Sequence, residues 1–115
     1  MKVWLPVRGE DGRFVAHEIE AKIFVELCGV PGFVVHRSLC VTPWPPHEID
    51  AWTVSHLGTG GALIQGVEGT IEIAINKAEE VLTRRALSLG TDPATAVERR
   101  AAASDQSWRK SPDGS

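Results

Sequence analysis

The stretch 68–90, EGTIEIAINKAEEVLTRRALSLG, most constrains what this chain can fold into, because it is the strongest helical pattern in it. Ile71, Ala74, Ile75, Ala78, Val81, Leu82 and Leu89 recur at the i, i+3, i+4 spacing of one apolar helix face. Thr70 supplies an N-cap oxygen, and Glu72 an acid in the first turn, where the helix favours negative charge. Gly90 ends the pattern as a C′ residue. A helix of this kind is held mainly by burial of its stripe, so the residues before 68 must build the layer beneath it.

Those residues read as strands. VWLPVR (3–8) and RFVAHEI (13–19) flank GEDG, a hairpin signal, and Pro6 places its strand at a sheet edge because it has no N–H to give a neighbour. KIFVEL (22–27) is a short apolar strand and CGVPG a turn. FVVHRSLCV (33–41) is the best strand, and TPWPPHEIDA after it reads as a loop stiffened by Pro43, Pro45 and Pro46. Residues 52–57 and 62–67 are two more strands. TDPATAVERRAAAS starts a second helix, with Asp92 as N-cap and Pro93 at its first position. The expected fold is α+β: an antiparallel sheet of four to six strands, then a long C-terminal helix packed on one face and a short second helix. A single domain over 1–104 and a tail over 105–115 complete it. Trp108 in that tail is expected to dock onto a neighbouring subunit.

WTVSHLGTGGALIQG (52–66) carries Ser55 beside His56 and then Gly58, Gly60 and Gly61. A phosphate loop would open into a helix and carry a Lys; here ALIQGV follows, a strand pattern. A nucleophile elbow needs Ser at a strand-to-helix turn between spaced glycines, whereas Ser55 lies inside the strand. A hairpin needs only two apolar strands with positive-φ residues between them, and that is the reading adopted. The residues Trp52, Thr53, Val54, His56, Thr59, Gly60 and Ala62, followed by an amphipathic helix, resemble a pattern in small phage and mobile-gene-cassette proteins, integron cassette proteins among them. The resemblance spans roughly residues 52–82 and implies an accessory protein, with no activity to carry over.

With 115 residues, 43% of them hydrophobic, the chain fits one domain with a real core. The net charge of −3 argues against general nucleic-acid affinity, which rests on a positive field. The Arg84/Arg85 and Arg99/Arg100 pairs are diluted by Glu79, Glu80 and Glu98 and read as solvated helix faces. Cys28 and Cys40 show no metal spacing and are expected to be reduced thiols. No apolar run reaches membrane-span or signal length, so a cytoplasmic protein is expected, with no membrane partner.

Strand parity orders the candidate site residues. Phe33, Val35, Arg37, Leu39 and Val41 share one face of their strand, and Val34, His36, Ser38 and Cys40 the other. Trp52, Val54 and His56 lie opposite Thr53, Ser55 and Leu57. Aligning the more apolar faces against the helix puts Arg37 with His56 and turns His36 away, so those two histidines cannot share a metal. No metal site and no cofactor is expected. Arg37 either snorkels to a carboxylate such as Glu26 or Glu72, or joins His56 and the Thr70 helix N-terminus in a pocket for a small anionic ligand. In the second case His56 is the candidate general base. Trp4, His17 and Ile19 are read as an outward apolar face, an argument for a homodimer. Trp44 in the proline loop is a further interaction candidate. Two functions follow: a homo-oligomeric binding or interaction protein, and a small enzyme or anion-binding protein using His56 and Arg37.

Overall fold

The computed structural model describes residues 1–42, 44–104 and 106–109. Five strands, β1 (Lys2–Arg8), β2 (Phe14–Leu27), β3 (Val30–Cys40), β4 (His47–His56) and β5 (Ala62–Val67), form one antiparallel sheet in chain order. Helices α1 (Ile71–Leu89) and α2 (Pro93–Ala103) follow, then one 3₁₀ turn, Ser107–Arg109. This is the expected α+β architecture. β1 is an edge strand, as Pro6 requires.

Short connections make each strand the antiparallel neighbour of the next. Cys28 and Gly29 reverse the chain between β2 and β3 with φ of 51° and 76°, the pattern of a two-residue hairpin turn. A positive φ is unfavourable for Cys28. Its N–H donates to Glu79 Oε2 at 2.9 Å and its Sγ lies 3.5 Å from Thr83 Oγ1, so α1 holds the turn in place. Both cysteines are free thiols. The proline loop is shorter than its sequence suggests: His47–Ala51, read as loop, belongs to β4. Prolines break a strand only where they sit, and after Pro46 the backbone donors are restored and His47 pairs with Cys40.

The sheet has a core on each face. Leu27, Phe33, Val35, Trp52 and Val54 meet Ala74, Ala78 and Leu82 of α1 on one side. Leu5, Val7, Ile19, Ala21 and Val34 cluster on the other. β2 serves both, and a bulge explains how. The register slips between Ala21 and Ile23, so odd-numbered residues face the second core up to Ala21 and the helix side from Val25. A second slip, between Arg37 and Leu39, turns Leu39 to the same side as Ser38.

α1 begins and ends where its caps dictate. Thr70 Oγ1 accepts the Ile73 N–H at 3.2 Å, and Gly90 takes φ 66°. Small residues on its inner face, Ala74, Ala78 and Ala86, let its backbone approach the sheet. Leu89, expected on the apolar face, is 52% exposed. α2 starts at Asp92 and Pro93 as expected and packs Val97 against the α1-side core. No described helix is long and apolar enough to cross a membrane.

Two expectations are corrected. β1 and β2 pair Val3 with Ile19, Leu5 with His17 and Val7 with Val15. Residues directly opposite in a ladder share a face, so His17 and Ile19 lie with the apolar residues of β1, and Ile19 is only 5% exposed. Trp4 lies on the other face, opposite Glu18. Trp108, expected on a neighbouring subunit, is buried against its own chain beside Pro6 and Gly60. Of the proposed tail, 106–109 therefore pack onto the domain; Asp105 and residues 110–115 lie outside the described residues.

Candidate functional site

The sheet face that α1 leaves uncovered forms a cleft of about 1080 Å³, lined by all five strands. Its walls include Leu5, Val7, Ile19, Leu39, Val41 and Ile49. Within this apolar frame sit His36, Ser38, Thr53 and Ser55, each 5% exposed or less. They come from alternate positions of the paired strands β3 and β4. His36 Nε2 lies 2.9 Å from Ser55 Oγ, and Ser38 Oγ lies 2.7 Å from Thr53 Oγ1. Ser38 Oγ also accepts the Gly66 N–H of β5 at 3.1 Å.

The tautomer of His36 follows from its second contact. Nδ1 lies 2.8 Å from the Arg37 carbonyl oxygen, which can only accept, so Nδ1 carries the proton. Nε2 is then an acceptor and takes the Ser55 hydroxyl hydrogen. Burial lowers the His36 pKa below the ordinary 6.5, against the opposing pull of the Arg37 carbonyl and the Glu48 charge, and this favours the neutral ring. A hydroxyl thus donates to a neutral imidazole, the contact a general base makes with a nucleophile.

The sequence reading missed this cluster, although its signal was present. Parity put His36 and Ser38 on one face of their strand and Thr53 and Ser55 on one face of theirs, and the register brings those two faces together, with His36 opposite Thr53. Alternating polar residues on central strands ordinarily mark a solvated face. Here the sheet curls until the β4–β5 turn reaches β1, and that face is buried.

Arg37 and His56 do share the α1-facing side, but they do not meet. Arg37 pairs with Trp52 and His56 with Phe33, four positions apart along β3, roughly 13 Å at 3.3 Å per residue. Arg37 stacks 3.9 Å over the Trp52 ring and donates to Asp50 Oδ1 at 2.9 Å. It snorkels to the rim as one reading had it, with Asp50 as its carboxylate in place of Glu26 or Glu72. Thr70 lies toward this end, because Trp52 Nε1 donates to the Gly69 carbonyl at 2.9 Å. Its hydroxyl is engaged as the α1 cap.

His56 belongs to a different group, built on the glycine turn. Its Nδ1 accepts the Thr59 N–H at 3.2 Å, and its ring packs on Phe33. Burial and the charges of Arg100 and Arg109 lower its pKa. With Arg85, Arg100, Thr59 and Val97 it lines a cavity of about 30 Å³. The three glycines are there because side chains lie on the turn. A Cβ on Gly58 would stand 2.7 Å from His56 Cε1, and one on Gly60 2.4 Å from Trp108 Cζ2. One on Gly61 would be 3.4 Å from an Arg100 guanidinium nitrogen. Arg109 closes the turn from outside, donating to the Leu57 and Gly58 carbonyls at 2.7 Å each.

Trp44 is 37% exposed in the β3–β4 loop, and Trp4 is 58% exposed on the β1–β2 ribbon. His17 is half-buried on the cleft side of β2, opposite Leu5. Among the described residues no three His, Cys, Asp or Glu side chains come together as metal ligands. Fold and site together define a curled antiparallel α+β protein with a ligand-sized cleft on its open sheet face. Compared with protein-family models, curated proteins and solved structures, the chain matches none.

Proposed function

We propose that the protein is a small-molecule-binding protein whose cleft takes an amphipathic ligand. The observation that carries this reading is the burial of four polar side chains, His36, Ser38, Thr53 and Ser55, inside an apolar cleft wide enough for a small molecule. Ligand sites have this composition: a mostly apolar wall with a few fixed polar groups that orient the guest. Small-residue hydroxyls on the strands leave room that Val or Leu would fill. Titration with 1-octanol, read by calorimetry, tests it. One molecule per chain is expected to bind, and Thr53→Trp, which fills the cleft, is expected to weaken binding at least about tenfold. Equal binding by the variant overturns the reading.

In the same reading the protein is a self-associating accessory protein. Trp4 and Phe14, 58% and 54% exposed, lie four ladder positions apart on one face of the β1–β2 ribbon, the face that a second copy would cover. A solution mass equal to one chain removes that part.

The 2.9 Å Ser55–His36 contact favours a second reading, a small hydrolase. The base would be His36 rather than His56, whose Nδ1 is taken by Thr59. Hydrolysis of p-nitrophenyl butyrate that falls to the solution rate in Ser55→Ala supports it; activity unchanged in that variant rejects it.

A further inference from the structure

We infer that the corner where the β4–β5 turn meets α1, α2 and the 3₁₀ turn is an oxyanion-recognition site, which holds the carboxylate or phosphate head of a ligand whose apolar body lies in the cleft. This inference rests on the cleft being a binding site. It adds the charge of the ligand and the residues that read it.

Four donors lie around the β4–β5 turn, each without an acceptor among the described residues. Arg85 reaches the corner from α1 and Arg100 from α2, and both line the small cavity beside His56. Neither is paired with a carboxylate among the described residues. Two guanidinium groups that share a cavity repel each other, and this arrangement is ordinarily offset by an anion between them. The third donor is the Trp108 indole N–H. Trp108 is 6% exposed, and its Nε1 is buried with no hydrogen-bond partner among the described residues. A buried donor left unsatisfied is costly, and a ligand oxygen is one way to satisfy it. His56 supplies the fourth. Its Nδ1 accepts from Thr59, so the neutral ring carries its proton on Nε2.

The corner adjoins the cleft at the β4–β5 turn. Arg100, Thr59, Gly61 and Ala62 line both spaces, and Trp108 lines the cleft. Arg100 lies against the bare backbone of Gly61, where a side chain would crowd it. The third nearby cation, Arg109, is spent on the turn carbonyls and stacks on the Trp108 ring, so it positions the corner rather than serving it. An apolar wall leading to a pair of unpaired arginines and an indole donor is the arrangement an amphipathic anion requires.

Octanoate, octyl phosphate and 1-octanol share one alkyl chain and differ in the head group, so their affinities by calorimetry separate body from head. The wild-type protein is expected to bind at least one of the two anions about tenfold or more tightly than the alcohol. Which anion wins tells carboxylate from phosphate. Arg100→Gln, at an exposed helix position, is expected to remove that preference, the anion losing about tenfold more affinity than octanol. Trp108→Phe keeps an aromatic side chain but loses the N–H, and should weaken the preferred anion several-fold more than it weakens octanol. If octanol binds and both anions bind no better, or Arg100→Gln leaves the preference intact, the head-group site is overturned and the cleft reading stands. If none of the three binds, both fall.

Discussion

At the scale of single residues, the buried His36 and the half-buried His56 set a pH dependence. Burial holds His36 below the ordinary 6.5, and burial together with Arg100 and Arg109 does the same for His56. Well above pH 6.5 both rings are neutral folded or unfolded, and they contribute almost nothing to the slope. As pH falls through 6.5 the unfolded chain takes up protons first, so stability declines until the folded pKa values are passed. Urea unfolding between pH 7.5 and 5 is expected to show this loss, at most about 1.4 kcal/mol per pH unit for each ring. His36→Gln should flatten the slope, and an unchanged slope would mean that His36 does not titrate differently on folding. The glycines of the turn offer a paired test. Gly60 has φ 74° with Trp108 and Pro6 atoms within 3 Å of a built Cβ, whereas Gly66 has φ 66° with open space. Gly66→Ala should cost about 1 kcal/mol, the left-handed penalty alone. Gly60→Ala should cost about 2–4 kcal/mol, because crowding adds to it. Equal losses in denaturation would show that the turn is not a packing platform.

At the scale of elements, the helices were legible to the residue because their signals are local. Thr70, Gly90, Asp92 and Pro93 each act within one turn of chain, and each sits where its chemistry directs. Strand positions were legible in the main, down to Pro6 marking an edge, but 13–19 and 22–27, read as two strands, are the single strand β2, and His47–Ala51, read as loop, opens β4. What strands face was not, because facing depends on bulges and register. Parity counted straight through residues 14–27 cannot see the slip at Lys22 that transfers β2 from one core to the other. The hairpin register of β1 with β2 misassigned His17 and Trp4 in the same way. Arg37 and His56 were placed on the correct face but not at the correct separation, since one face of a strand is a line and not a point. The α1–sheet core makes its own prediction. Leu82 is 2% exposed among Phe33, Val54 and their neighbours, and Leu82→Ala should cost about 2–5 kcal/mol. Leu87, 75% exposed five residues later, should tolerate Ala within about 0.5 kcal/mol. Thermal denaturation of the two variants checks whether α1 presents the face described.

At the scale of the whole molecule, the last described residues complete the sheet. The curl that brings the β4–β5 turn against β1 leaves a gap at that end, and Trp108 fills it, touching Pro6 on one side and the turn on the other. Arg109 then donates to two turn carbonyls, so the 3₁₀ turn clasps the first and last hairpins of the sheet together. None of this was visible in DQSWRKSPDGS, whose composition reads as a loose tail; a lone Trp carries no address for where it docks. Contact between residues 6, 60 and 108 is non-local, and non-local packing is what a single sequence encodes least directly. If the clasp is structural, a chain ending at Ser104 should lose about 3 kcal/mol, the scale of removing a buried indole, and melt on the order of 10 °C lower. Trp108→Ala alone should account for most of that loss, because the indole and not the length of the segment fills the gap. The truncated chain should also bind 1-octanol more weakly, since Trp108 forms part of the cleft wall. A truncated protein that melts with the full chain and binds as well would show that the sheet holds its curl without the clasp. The cleft would then owe its shape to the β2 and β3 bulges alone.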